Sequence, residues 1–133
     1  MSGETDLKSI LKSLAPIMLD ESYVFCTAAN ANYGDFAEAQ PIASFQEKEG
    51  LTLVLTQAHA DAAGLNYEGL FGCISLQVHS SLESVGLTAV IAGKLAAYDI
   101  SANIIAGYYH DHVFVPQANA AEALALLIQL KNL

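Results

Sequence analysis

Hydrophobic positions recur along the chain with two different periods. Leu7, Ile10, Leu11 and Leu14 fall three or four residues apart, the spacing that aligns side chains on one helical face. Thr5 and Asp6 stand before them as helix-capping types, and Pro16 ends the run. Residues 22–28 (SYVFCTA) are rich in strand formers. Residues 30–41 contain Gly34 and no period, so they read as a loop. Strands over 42–46 and 51–56 then flank Glu47-Lys48-Glu49-Gly50, a hairpin turn. A short alanine-rich helix is predicted from 57 to 63, stopping at Gly64.

Periods are cleaner in the second half. Over 73–79, Ile74, Leu76 and Val78 alternate with Ser75, Gln77 and His79, which predicts a half-buried antiparallel strand. A helix from about Ser84 would bury Leu87, Ile91 and Leu95, with Asp99 in a left-handed position at its end. Strands over 102–108 and 112–115 surround a turn at His110-Asp111, and Pro116 leads into a last helix. That helix carries Leu124, Leu127 and Ile128 on one side and Leu126, Leu130 and Leu133 on another. One side should cover its own sheet. The other needs the first lobe or a second copy of the chain, so a homodimer or higher homo-oligomer is expected.

After Gly72 the order is strand, helix, strand, strand, helix: the ferredoxin-like βαββαβ unit without its last strand. The first half offers an incomplete version of the same unit. The expected fold is α+β, with two ferredoxin-like lobes in tandem, antiparallel sheets and helices on one face. The lobes span 1–69 (incomplete) and 70–133, and their incompleteness implies exchange of elements between them.

Composition narrows the partners. Apolar residues make up 53% of the 133 and charged ones only 14%, enough for a packed core. Fourteen acids face five lysines with no arginine, and the net charge of −9 repels nucleic acid and anionic membrane surfaces. The start, Met1 to Asp6, lacks the basic, apolar pattern of a secretory signal, and no run approaches the ~20 apolar residues of a membrane span. A cytoplasmic location is expected. Cys26 and Cys73, in apolar strand-like segments without CxxC spacing, read as buried free thiols.

Candidate chemistry is sparse. Tyr108-Tyr109-His110-Asp111-His112 places two histidines two residues apart with an acid between them. In an extended strand they would point the same way and begin a metal site, but zinc needs a third or fourth protein ligand. His59 and His79 are the remaining histidines, and nothing in sequence places them near. Turn chemistry accounts for the tract first, and a ligand contact or interface at Tyr108, His110, Asp111 and His112 second. Ser80-Ser81 lacks a nucleophile elbow, Gly93-Lys94 lacks P-loop spacing, and Glu47 and Glu49 flank a turn as solvated acids. No catalytic residue, metal or cofactor is expected.

Residues 78–116 resemble an ACT domain, the ferredoxin-like regulatory module of amino-acid metabolism. The family pattern has an acid three residues before a helix-opening glycine, and Gly-Ile-Asn or Gly-Ile-Ser at the second strand. Here Glu83-Ser84-Val85-Gly86 keeps the first spacing, and Asp99-Ile100-Ser101 replaces the second with its glycine missing. Val85-Gly86-Leu87-Thr88-Ala89 and 100–105 (ISANII) look like the ACT repeats of aspartokinases, and the whole chain looks like small stand-alone tandem-ACT bacterial proteins. The resemblance implies a non-catalytic module that binds a small molecule, an amino acid foremost, between ACT units. It places the ligand against Glu83, Ser84, Val85, Gly86, Leu87, Asn103 and Ile104. Physics favours that location, because exposed N–H groups and a positive dipole at a helix start cradle a carboxylate. Glu83 or Asn103 would receive the ammonium, and Leu82, Val85 and Ile104 would give apolar walls. The alternative is a ligand-free oligomerisation or protein-interaction module.

Overall fold

The computed structural model of the chain describes residues 6–77 and 85–132. In chain order its elements are α1 (Leu7–Lys12), β1 (Pro16–Met18), β2 (Tyr23–Ala28), β3 (Ala43–Glu47), β4 (Gly50–Thr56), α2 (Gln57–Ala62), β5 (Phe71–Leu76), α3 (Leu87–Ala96), β6 (Asn103–Ala106), β7 (Asp111–Pro116) and α4 (Ala120–Ile128). They form two compact units that interleave in sequence. Met1–Asp20 and Gly72–Leu133 make one, and Glu21–Phe71 the other. Spatial units and linear halves are therefore different divisions of this chain.

The discontinuous unit has the strand order β1-β5-β7-β6. From Gly72 onward the chain supplies strand, helix, strand, strand and helix, and β1 fills the place of the missing last strand. It pairs antiparallel with β5, setting Pro16 opposite Leu76 and Met18 opposite Ile74. Pro16 is thus more than the helix stop read from sequence: it is also the first residue of an edge strand, where a missing N–H is tolerated. All three helices share one face. Ile10 and Leu11 of α1, Ile91 and Leu95 of α3, and Leu126 and Leu127 of α4 pack in one cluster with Ile74, Leu76, Val113 and Val115.

Helix α3 ends as its sequence predicts. Asp99 adopts φ 61°, and the Ile100 N–H donates to the Leu95 carbonyl at 3.0 Å. Two other expectations need correction. β5 is not half-buried, since Gly72, Cys73, Ile74, Ser75 and Leu76 are all buried. It is an interior strand, and its Ser75 hydroxyl accepts a hydrogen bond from Gln77 Nε2. Val78 and His79 lie outside the described residues. In α4 the two apolar sides merge: Ala123, Leu126, Leu127 and Leu130, at spacings of three and four, form one buried stripe. Only Ile128, 47% exposed, and part of Leu124 remain outside it, while Leu133 is not described.

The continuous unit has the order β3-β4-β2, with β2 registered from Tyr23–Thr56 to Ala28–Leu51. β3 and β4 form a hairpin closing at Glu47 opposite Gly50. Gly50 (φ +154°) is backed by the chain, for a Cβ there would lie 2.8 Å from the Ala28 carbonyl oxygen. Thr56 caps α2, its hydroxyl accepting from the His59 N–H at 3.2 Å. Val24, Cys26, Leu51, Leu53, Leu55 and Ala60 form the core on the α2 side. Where a ferredoxin-like order would place its first helix, this unit has a loop with a single 3-10 turn, Ala37–Ala39. Across the described residues, no helix is long and apolar enough to cross a membrane.

Candidate functional site

The start of α3 is built around Gly86, which sits at φ +101° as the residue preceding the helix. A β-carbon is disfavoured at that angle, and glycine brings no side chain to cap the turn. The first intrahelical bond runs from the Val90 N–H to the Gly86 carbonyl at 2.9 Å. The N–H groups of Leu87, Thr88 and Ala89 therefore have no acceptor from within the helix, and the positive dipole end lies with them. Val85 is 83% exposed beside this turn, whereas Leu87 is buried in the core. Asn103 opens β6 exposed, and Ile104 next to it packs against the cluster containing Leu87. Glu83 and Ser84, and Leu82 before them, lie outside the described residues. Leu7, which its spacing assigns only to the apolar stripe of α1, also borders this turn: a Cβ on Gly86 would lie 3.2 Å from its Cδ2.

The histidine tract forms the β6–β7 hairpin. Ile105 faces His112 and Ala106 faces Asp111, with a four-residue turn closed by the Gly107 N–H donating to the His110 carbonyl at 2.9 Å. The turn lies earlier than expected, at 107–110, and Asp111 is already a strand residue. His110 is thus in the turn and His112 in the strand, so the two do not project from one strand. A Cβ on Gly107 would lie 2.7 Å from the His110 oxygen and 3.4 Å from His112 Nε2, which makes glycine the residue that fits. Tyr108 and Tyr109, 60% and 61% exposed, stack edge-on at 5.1 Å at the tip. Burial pushes the Asp111 carboxyl up, opposed by His112 and His110. Burial also pushes His112 down, helped by His110 and opposed by Asp111. His110 Nδ1 is buried with no hydrogen-bond partner among the described residues. No cluster of three or more His, Cys, Asp or Glu suited to a metal ion occurs among the described residues.

The continuous unit holds a groove that the sequence left as featureless loop. Its volume is about 490 Å³, and its walls include Tyr33, Phe36, Gln40, Ile42, Ser44 and Leu53. The loop is firmly tied. Gln46 Oε1 accepts from the Tyr33 N–H at 2.7 Å while its Nε2 donates to the Ala31 carbonyl at 3.1 Å. The Asn32 N–H donates to Asp35 Oδ2 at 2.7 Å, and Gln40 takes φ 53°. A smaller cavity of about 270 Å³ lies between Phe36, Glu38, Ala39 and His59, whose Nδ1 is buried with no hydrogen-bond partner among the described residues. The sequence signal was present: an aperiodic Asn/Gly/Asp-rich stretch standing where the fold order calls for a helix.

The discontinuous unit follows the ferredoxin-like α+β order in full, with β1 as its last strand, and the continuous one follows it in part, with three strands and a loop in place of its first helix. The chain belongs to the ACT domain family: one ACT-domain model matches residues 2–72 and a second matches 71–129. ACT domains are regulatory, non-catalytic modules. Among solved structures, a Vibrio cholerae protein described as of unknown function and a "Possible Transport Protein" is 50% identical. The match covers 94% of this chain and 95% of that one, with a TM-score of 0.84. An Agrobacterium tumefaciens protein shares the fold at 14% identity, 89% coverage of both chains and a TM-score of 0.73. The ligand-free regulatory subunit of aspartate kinase from Thermus thermophilus shares it at 13% identity, with coverage of 88% and 95% and a TM-score of 0.60. A search of curated proteins returns no match.

Proposed function

We propose that this protein is a cytoplasmic, non-catalytic regulatory module that binds an α-amino acid where ACT units meet, in a homodimer or higher homo-oligomer. The observation that carries the reading is Gly86: in an ACT unit, the turn opening α3 is left-handed at a residue with no side chain, with three N–H groups free of intrahelical acceptors. A ligand carboxylate fits there for reasons of charge and dipole. Glu83 or Asn103 takes the ammonium, and Val85 and Ile104 face the side chain. The lobes acting in this way are residues 1–69 and 70–133, exchanging elements at β1. With a net charge of −9 and no arginine, the partners are small molecules and other copies of the chain, not nucleic acid or anionic membranes.

The test is a thermal-shift screen of the purified chain against the twenty amino acids. A ligand at a hundred times its dissociation constant adds about 2.7 kcal/mol, a shift of about 10 °C for a chain of this length. Gly86→Asp places a carboxylate in the cradle and should abolish that shift while leaving the oligomeric state unchanged. Survival of the shift in Gly86→Asp refutes the site. A second reading, a ligand-free interaction module, is favoured by the exposed Val85, Tyr108 and Tyr109. Under that reading the amino-acid screen is flat, and changes at the two tyrosines alter assembly.

A further inference from the structure

The groove in the continuous unit lies apart in sequence from the α3 turn, and three observations bear on it. The first is its origin. A crossover helix over this part of the sheet would lie against Leu51 and Leu53, and the chain instead runs a loop with one 3-10 turn there. What remains is about 490 Å³, inside the range of roughly 300–1,000 Å³ usual for small-molecule sites.

The second is rigidity. Gln46 clamps the loop through both ends of its carboxamide, and the Asn32–Asp35 turn closes on itself. Gln40, a non-glycine residue, is held in a left-handed conformation. Such conformations persist where the surroundings over-determine them, and they concentrate at ligand clamps.

The third is chemistry. Tyr33 and Phe36 present aromatic surface, Ile42 and Leu53 present aliphatic surface, and none of the lining residues is an acid, lysine or histidine. An ion entering would lose hydration without a counter-charge, and the net charge of −9 further disfavours anions. The polar side chains among the lining residues are uncharged: the Gln40 carboxamide, the Ser44 hydroxyl and the Tyr33 phenol. A carboxamide offers one donor and one acceptor side by side, which matches the lactam or amidine edge of a heterocycle. We infer that this groove binds an uncharged planar heterocycle of the nucleobase class, stacked on aromatic surface and read by Gln40 and Ser44.

The experiment titrates the full chain with adenine and uracil, and with adenosine monophosphate as the charged counterpart, followed by amide chemical shifts in protein NMR. One of the two bases should shift residues 33–44, and the monophosphate should bind at least about tenfold more weakly. Ala37→Trp, which fills the groove from an exposed turn, should weaken the base by about tenfold or more. Ser44→Ala, a milder change that keeps the strand, should weaken it by about three- to tenfold. Gly86→Asp should leave base binding unchanged. Silence with both bases overturns the inference, as does binding indifferent to both Ala37→Trp and Ser44→Ala, or binding lost in Gly86→Asp. A flat amino-acid screen, which would sink the α3 site, leaves this result untouched.

Discussion

Helix α3 carries a pair of glycines whose replacement by alanine should move stability in opposite directions. Gly86 has φ +101°, and a Cβ there would also lie 3.2 Å from Leu7 Cδ2. The backbone penalty for a β-carbon in such a region is about 1–3 kcal/mol. Reduced freedom of the unfolded chain returns about 0.4–1 kcal/mol. Leu7 can shift its flexible end, so the expected net loss is about 1–2 kcal/mol. Gly93 lies in the interior of the same helix, exposed, with nothing within 4 Å of the place a Cβ would take and no positive φ. Alanine there should gain about 1 kcal/mol of helix propensity. With an unfolding entropy of about 2.1 cal/mol/K per residue, the chain's Tm moves by about 4 °C per kcal/mol. Gly86→Ala should therefore lower Tm by about 4–7 °C and Gly93→Ala should raise it by about 4 °C. Calorimetry on both variants checks this. Equal shifts, or a Gly86→Ala protein as stable as the parent, would refute the left-handed geometry assigned to the α3 start.

Other perturbations follow from the packing. Leu127→Ala removes a fully buried side chain from the helix face and should cost about 2–5 kcal/mol by chemical denaturation. Ile128→Ser, on the exposed side of α4, should cost less than about 0.5 kcal/mol, and sedimentation would show a smaller assembly if α4 joins copies of the chain. The Cys73 thiol, pushed up to about 12 by burial, should stay unreactive towards a disulfide reagent at pH 8 until the protein unfolds. His112 is pushed below its ordinary 6.5, so the unfolded state binds its proton more readily and stability falls as pH drops below about 6.5. Asp111, pushed above its ordinary 3.8, acts oppositely: its folded form holds the proton longer, and stability declines as pH rises through that range. Urea midpoints between pH 5 and 7.5 should flatten in His112→Phe if the histidine drives that slope.

Much of the discontinuous unit could be read from residue spacing. Leu87, Ile91 and Leu95 recur every four residues, and Asp99 stands where only a left-handed residue ends a helix economically. The hairpin of β3 and β4 is announced by three charged residues and a glycine, Glu47 to Gly50, between apolar runs. What escaped had physical reasons. β1 is three residues long and begins at a proline, too short for alternation to register. Ser75 looked solvated because a serine faces water in a half-covered strand, and here both faces of β5 are covered. The single buried stripe of α4 does not show in its spacing because nearly every position is apolar, so composition hides the phase. In the site, Gly86 was legible from its spacing to an acid, whereas the groove depends on the clamp from Gln46, thirteen residues from Tyr33. No local pattern encodes a contact of that kind.

The pairing of Pro16–Met18 with Ile74–Leu76 has a consequence for the order in which the chain can assemble. Synthesis delivers the first helix and strand well before their partners, and about sixty residues must follow before β5 exists to receive them. Glu21–Phe71 can begin to collapse meanwhile, since its strands pair with one another, while the opening segment waits unpaired. Closing so long a loop is slow relative to local pairing. A gene fragment beginning at Gly72 would encode every helix and strand of one recognisable repeat except α1 and the strand that seals its edge. Such a fragment would expose β5 along that side and recruit the edge of another molecule instead.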